Sequence, residues 1–148
     1  MIMRISNDER DFSLLRLMPM IQKVILSCWD KEKYPYTKSQ LILIMALLRK
    51  DSLTMKEAAS YISSSKEQAT RAVAPLVDKG LMERYTDPAN RNYVHIQLTD
   101  AGRILVLEML EDLYDNINDL LDQSISNEEK RALRDSLTDS IRILDKVL

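Results

Sequence analysis

The chain is poor in the residues on which most enzymes and small secreted domains depend. It has one cysteine, Cys28, and one histidine, His95, among 148 residues. A lone cysteine excludes an intramolecular disulfide framework and suits a reducing, cytoplasmic setting. One His and one Cys cannot assemble a His/Cys metal site. His95 is expected to face outward beside Tyr93 and Gln97, with no identifiable nucleophile or orienting carboxylate. Only two glycines are present, and no glycine-rich loop exists to cradle a phosphate. No catalytic residue, metal or cofactor is therefore expected, and an enzymatic reading has no support.

Long apolar runs are missing too. The longest, Leu41–Leu48, is eight residues, well short of the roughly 20 that a bilayer demands. The opening MIMRISNDERDF mixes charges of both signs, with no apolar stretch or small-residue cleavage site, so neither a secretory signal nor a membrane partner is expected. Phenylalanine occurs once and glycine twice, whereas Leu, Ile and Met abound, which favours helix over sheet. With 45% hydrophobic and 30% charged residues the composition is that of a globular chain. Its length suits one domain, or one domain with an oligomerisation extension.

A net charge of -2 argues at first against a polyanion partner, but the charge is unevenly spread. Residues 1–48 and 49–98 each sum to +2, and residues 99–148 to -6. The acidity sits in the last third, which leaves the middle free to meet phosphate.

Apolar residues Phe12, Leu15, Met18, Ile21, Ile25 and Trp29 recur at helical spacing, predicting a first helix over about 9–32 with a kink or break near Pro19. Four later helix starts carry a hydroxyl residue followed three positions on by Glu or Gln, the pattern of a capping box. These are Thr37 with Gln40, Thr54 with Glu57, Ser64 with Glu67 (or Ser65 with Gln68), and Ser126 with Glu129. They predict helices over about 38–50, 55–62, 65–79 and 127–147, with Gly80 ending the third of these. The apolar second helix is expected to be a buried strut. Between Leu81 and Leu98 the pattern changes to alternation, giving two strands around a five-residue turn, Asp87–Arg91. A long helix follows from Thr99. The expected fold is mostly α with a small β-hairpin wing, in the order α-α-(short β)-α-α-β-β-α-α, a winged helix-turn-helix. Its parts are an N-terminal helix (1–36), a winged lobe (37–98) and C-terminal helices (99–148).

In that arrangement the second helix of the motif enters the major groove and the hairpin lies beside it. Its exposed face is expected to hold Ser65, Lys66, Gln68, Thr70 and Arg71, preceded by Ser64. Gln suits adenine, Arg suits guanine, and Ser or Thr can bond phosphate or base. A solvated polar face on an ordinary helix pair accounts for the same polarity, so the residue types alone leave both readings open.

The segment from Leu53 to Arg103 resembles the DNA-binding half of MarR-family regulators. The resemblance rests on Leu53-Thr54, on Leu76 with Lys79-Gly80-Leu81, on Arg84, on Asp87-Pro88 with Arg91, and on Leu98-Thr99-Asp100-Ala101-Gly102. It implies a homodimer whose base is formed by the N- and C-terminal helices, double-stranded DNA as partner, a pseudo-palindromic operator, and repression relieved by a small molecule. It implies contacts from Ser64, Ser65, Lys66, Gln68, Thr70, Arg71 and Arg84, with Arg91 reaching the minor groove. A small aromatic or phenolic effector would lie near Trp29, Tyr34 and Tyr36. The chain departs from the family in two places. Asn90-Arg91-Asn92 replaces the usual Asp-Arg-Arg and thins the wing's charge. Pro75 inside the recognition helix is expected to bend its last turn away from the groove and crowd base contacts into Ser65–Arg71. The thinned wing and the acidic total also suit a rival reading, a winged helix repurposed for protein–protein contact.

Overall fold

Hydroxyl caps set every helix start but the first, which follows Phe12 without a side-chain cap. A computed structural model describes residues 12–147. Its elements are α1 (Ser13–Cys28), α2 (Lys38–Arg49), β1 (Leu53–Thr54), α3 (Met55–Tyr61), α4 (Lys66–Asp78), β2 (Met82–Asp87), β3 (Asn90–Leu98), α5 (Asp100–Ser124) and α6 (Asn127–Leu144). Thr37 and Ser126 form complete capping boxes with Gln40 and Glu129. Thr54 and Ser65 cap by accepting the N–H groups of Glu57 and Gln68 at 3.1 and 3.2 Å. Of the two starts open at α4, Ser65 is therefore the cap.

Three expectations are corrected. The first helix ends at Cys28 rather than near 32, because the Asp30 carboxylate accepts the N–H groups of Glu32 and Lys33, each at 3.0 Å, and so turns the chain. Its expected residues 9–11 lie outside the described part, as does Leu148. Pro19 does not break α1, which is continuous through it, while α4 runs through Pro75 to Asp78, close to its expected span. A proline deletes one backbone donor, and the remaining helical bonds on either side hold. Beside Pro75, the Gln40 amide donates to the Ala72 carbonyl at 3.2 Å and anchors α4 to the start of α2. Finally, the wing has no five-residue loop, since only Pro88 and Ala89 separate β2 from β3.

The chain divides into two compact units. Asp30–Asp112 forms the first, and every buried hydrophobic side chain among the described residues lies within it, from Tyr34 to Met109. Leu43 and Leu47 of α2, Leu53 of β1, Ala69, Val73 and Leu76 of α4, and Met82 and Ile96 of the sheet form its centre. The sheet is antiparallel in the order β1-β3-β2, with Leu53 opposite Ile96 and Met82 opposite Leu98. As expected for a strut, α2 packs on α3, α4 and β3, although Met45 is exposed.

The other unit holds α1 and the chain from Leu113 onward. Neither α1 nor α6 has a buried residue. Leu14, Leu15, Met18 and Met20 are each at least 60% exposed. A groove of about 640 Å³ runs between α6 and the second half of α5, lined by Ile117, Leu121, Leu133, Leu137 and Ile141.

The two ends of the recognition segment are locked by backbone bonding. At the end of α4, Gly80 takes a left-handed φ of 72°, and the N–H groups of Gly80 and Leu81 return to the carbonyls of Val77 and Leu76. The Thr99 hydroxyl then donates to the Gly80 carbonyl at 2.6 Å and accepts the Gly102 N–H at 3.0 Å. A Cβ at Gly102 would stand 2.0 Å from the Leu81 carbonyl oxygen, so only glycine allows this approach. The Lys79-Gly80-Leu81 and Leu98–Gly102 motifs are thus two halves of one joint.

Candidate nucleic-acid interface

The turn between α3 and α4 is tight because Ser63 adopts a left-handed φ of 51°. The Ser63 and Ser64 N–H groups bond back to the carbonyls of Ser60 and Ala59, each at 3.0 Å. This is the same closing motif that Gly80 makes, here built on a serine. It delivers α4 with Ala69, Val73 and Leu76 buried and with Lys66, Gln68, Thr70 and Arg71 exposed.

The candidates on α4 differ in what they have left to offer. Ser65 spends its hydroxyl on the cap, and the Thr70 hydroxyl donates to the Lys66 carbonyl at 2.9 Å. Among the described residues, Lys66, Gln68 and Arg71 keep free side-chain donors, and neither cation has a carboxylate partner. Glu67 lies beside them. Its own backbone N–H and the Ser65 hydroxyl hold its carboxyl below the usual range, so it stays ionised.

The wing is more irregular than the sequence suggests. Thr86 pairs with Val94, but Asp87 pairs with Asn90, so Arg91, Asn92 and Tyr93 have no partner on β2. The reversal itself is the two residues Pro88 and Ala89, closed by the Asp87 carboxylate accepting the Ala89 N–H at 2.9 Å. Arg91 is therefore in a bulge on β3 rather than on a loop tip, and it is exposed. Arg84 is exposed on β2 opposite Ile96, while Tyr85 stacks on His95 with ring centres 5.2 Å apart. His95 lies on the sheet face opposite to buried Ile96, the outward face expected for it, and the Tyr85 ring partly covers it there.

All eight candidate DNA contacts, Ser64, Ser65, Lys66, Gln68, Thr70, Arg71, Arg84 and Arg91, lie in the Asp30–Asp112 unit and are exposed. Of the three aromatic candidates, Trp29 belongs to the other unit. Tyr34 is 3% exposed and its hydroxyl donates to Asp112 at 2.6 Å. Lys33 bridges Asp112 at 2.6 Å and Glu108 at 3.1 Å. Asp112, Tyr34 and Glu108 together raise the Lys33 ammonium well above its ordinary range, and Lys33 in turn lowers the Asp112 carboxyl. Burial raises the hydroxyls of both Tyr34 and Tyr36. The Tyr36 ring lies 5.4 Å from the Lys79 ammonium, at the end of α4.

The backbone architecture recurs in solved proteins. A mutant MarR from E. coli superposes with a TM-score of 0.74 at 21% identity, covering 90% of this chain and 99% of that one. The fold is that of MarR. A MarR transcriptional regulator from Methanosarcina mazei superposes at 0.63 with 24% identity over 91% of this chain and 95% of its own. YusO from Bacillus subtilis does so at 0.64 with 25% identity, over 87% and 90%. In sequence, 65 residues are 34% identical to the transcriptional regulator AdcR of Streptococcus pneumoniae, and the match spans 44% of this chain and 44% of that protein. No family model matches the chain.

In the MarR fold of this chain, α3 and α4 form the helix-turn-helix and β2 with β3 the wing. Sequence reasoning missed Lys56 and Tyr93, which stand on either side of a cleft between those two parts. Lys56 is one of several lysines at a helix start, and no spacing rule singles it out. The register shift that exposes Tyr93 leaves only a faint mark, the Asn90-Arg91-Asn92 run inside an otherwise alternating strand.

Proposed function

We propose that the chain is a transcription regulator that binds double-stranded DNA with sequence preference as a homodimer in the cytoplasm, and is not an enzyme. One observation carries this reading. The helix that the fold presents as a reader exposes Lys66, Gln68 and Arg71 in its first two turns, unpaired and backed by a rigid apolar face. Gln and Arg are the side chains best suited to two-point recognition of adenine and guanine. The MarR fold and the partial likeness to AdcR support it further.

The dimer base would be α1 with α6 and the second half of α5. Helices that bury nothing and present Leu, Ile and Met need a partner surface. Two recognition helices spaced by about 34 Å would meet successive major grooves and demand a pseudo-palindromic site. Repression relieved by a small aromatic or phenolic molecule completes the proposal, with Tyr34 and Tyr36 as its candidate contacts in the Asp30–Asp112 unit. Binding would shift the spacing of the two readers and lower operator affinity. Tyr34 enters with its hydroxyl engaged by Asp112, so any effector would meet its ring edge or Tyr36.

The test is selection of duplexes from a random pool by the full-length chain, followed by gel-shift titration. Enrichment of a two-fold-related motif is the expected result. Absence of any sequence-preferring complex at moderate salt would sink the DNA-binding reading and favour a protein-contact role.

A further inference from the structure

Among the described residues, Gln40 is the one buried polar side chain, 7% exposed. A buried carboxamide needs partners for its donors and its acceptor, and here they come from two elements. Its oxygen accepts the Thr37 N–H at 2.9 Å and completes the cap of α2. Its Nε2 donates to the Ala72 carbonyl at 3.2 Å, in the middle of α4. The cap alone does not require an amide: the capping box of α6 is closed by a carboxylate, that of Glu129. What the amide adds at position 40 is the donor that reaches α4.

That bond meets α4 where the helix is weakest. Pro75 has no N–H, so the Arg71 carbonyl, next to that of Ala72, lacks its helical donor. The buried side chains of Ala69, Val73 and Leu76 hold α4 on the core, but apolar contact has no direction and resists rocking weakly. A hydrogen bond to one carbonyl has direction. Beyond the proline, the Tyr36 ring lies 5.4 Å from the Lys79 ammonium, so residues at the start of α2 hold α4 on both sides of Pro75. We propose that Gln40 is a positioning residue for base recognition, its carboxamide setting the pose of α4 and thereby the aim of Gln68 and Arg71. The proposal rests on the DNA-binding reading above. Gln68 stands about 6 Å along the helix from Ala72. A tilt of about 10° at Ala72 moves its Cα by about 1 Å, twice the roughly 0.5 Å within which a two-point contact must be held. Lysine and arginine stems against phosphate follow such a shift. Loss of the bond therefore blunts base preference and spares general affinity.

The experiment compares the full-length protein with Gln40→Glu, Gln40→Met and Thr37→Ala. Gln40→Glu keeps the capping box and loses the donor to α4. Gln40→Met loses the donor without burying a charge, and carries the test where a buried glutamate unfolds the chain. Thr37→Ala loses the cap hydroxyl and keeps the donor. Fluorescence anisotropy measures a selected and an unrelated duplex against salt, and hydrogen exchange follows the free proteins. The Gln40 variants are expected to lose about 3- to 10-fold of the preference for the selected duplex, with affinity for the unrelated one and its salt slope unchanged. Their α4 amides should exchange faster while those of β2 and β3 do not. Thr37→Ala should lower Tm and keep the preference. Wild-type preference in the Gln40 variants, an equal loss in Thr37→Ala, or unchanged exchange in α4 would overturn the positioning role and leave DNA binding intact. No preference in the wild type would overturn the DNA-binding reading, and this proposal with it.

Discussion

Gln68 and Arg71 sit on the same exposed helix face, yet their expected effects on DNA differ in kind from that of Arg91 in the wing. A side chain that reads base edges discriminates by about 1–3 kcal/mol, whereas a cation against the backbone acts on every sequence. Gln68→Ala or Arg71→Ala should therefore flatten the preference between selected and unrelated duplexes in a competition assay. Arg91→Ala should weaken both equally and reduce the salt dependence. Equal losses on all duplexes for Gln68 and Arg71 would refute direct readout by α4. Gly102 is a residue whose role is purely steric. Placing a methyl group 2.0 Å from the Leu81 oxygen forces α5 away from the joint, and Gly102→Ala should cost at least about 1–3 kcal/mol in urea unfolding. Asp112 links stability to acid. Its carboxyl is lowered in the folded chain by Lys33 and Tyr34, so its contribution is present above the ordinary aspartate value and is lost as pH falls through the lowered one. Asp112→Asn should make the urea midpoint less sensitive to pH on that acid limb, and an unchanged pH profile would contradict the assigned linkage.

At the scale of elements, what was legible in the chain was whatever local chemistry decides. Caps at Thr37, Thr54 and Ser126 announced three helices because the side chain that satisfies the first free N–H groups is next to them in sequence. Gly80 marked the end of α4 for the same reason. The ambiguity between Ser64 and Ser65 was not local: Ser64 is consumed by the closing turn of α3, which rests on Ser63 at positive φ, a conformation no residue type announced. That turn stores strain of about 1 kcal/mol in a non-glycine residue. Ser63→Gly should raise stability by up to about that amount, offset in part by the freer unfolded chain. DNA affinity should not change, because α4 keeps its position. A destabilised variant would show that the serine makes a contact which the backbone bonding does not explain. The break considered at Pro19 did not occur because helix breaking is a tendency measured in isolated helices, and beside Pro75 the Gln40 amide anchors the neighbouring turn of α4. The bulge of β3 was hidden because alternation reports which face a residue takes and says little about register. Of the candidate site, the residue types on α4 were legible. What each had left to donate was not, since the Thr70 hydroxyl is absorbed by its own helix.

The whole molecule is unevenly built. Its buried side chains, among the described residues, all belong to Asp30–Asp112, while α1 and α6 bury none. If those helices are a dimer base, stability and association are one equilibrium, and Tm should rise with protein concentration. Sedimentation should find dimers at the concentrations where the chain is folded; a folded monomer throughout would remove the dimer base. No helix of the described chain is long and apolar enough to cross a membrane. The most direct measurement is equilibrium binding of the full-length protein to a duplex selected from a random pool, against the same base composition scrambled, at moderate salt. Tighter binding to the selected duplex by tenfold or more, with two protomers per two-fold-related site, is the expected result. Indistinguishable affinities for the two duplexes would contradict a sequence-reading role for this chain.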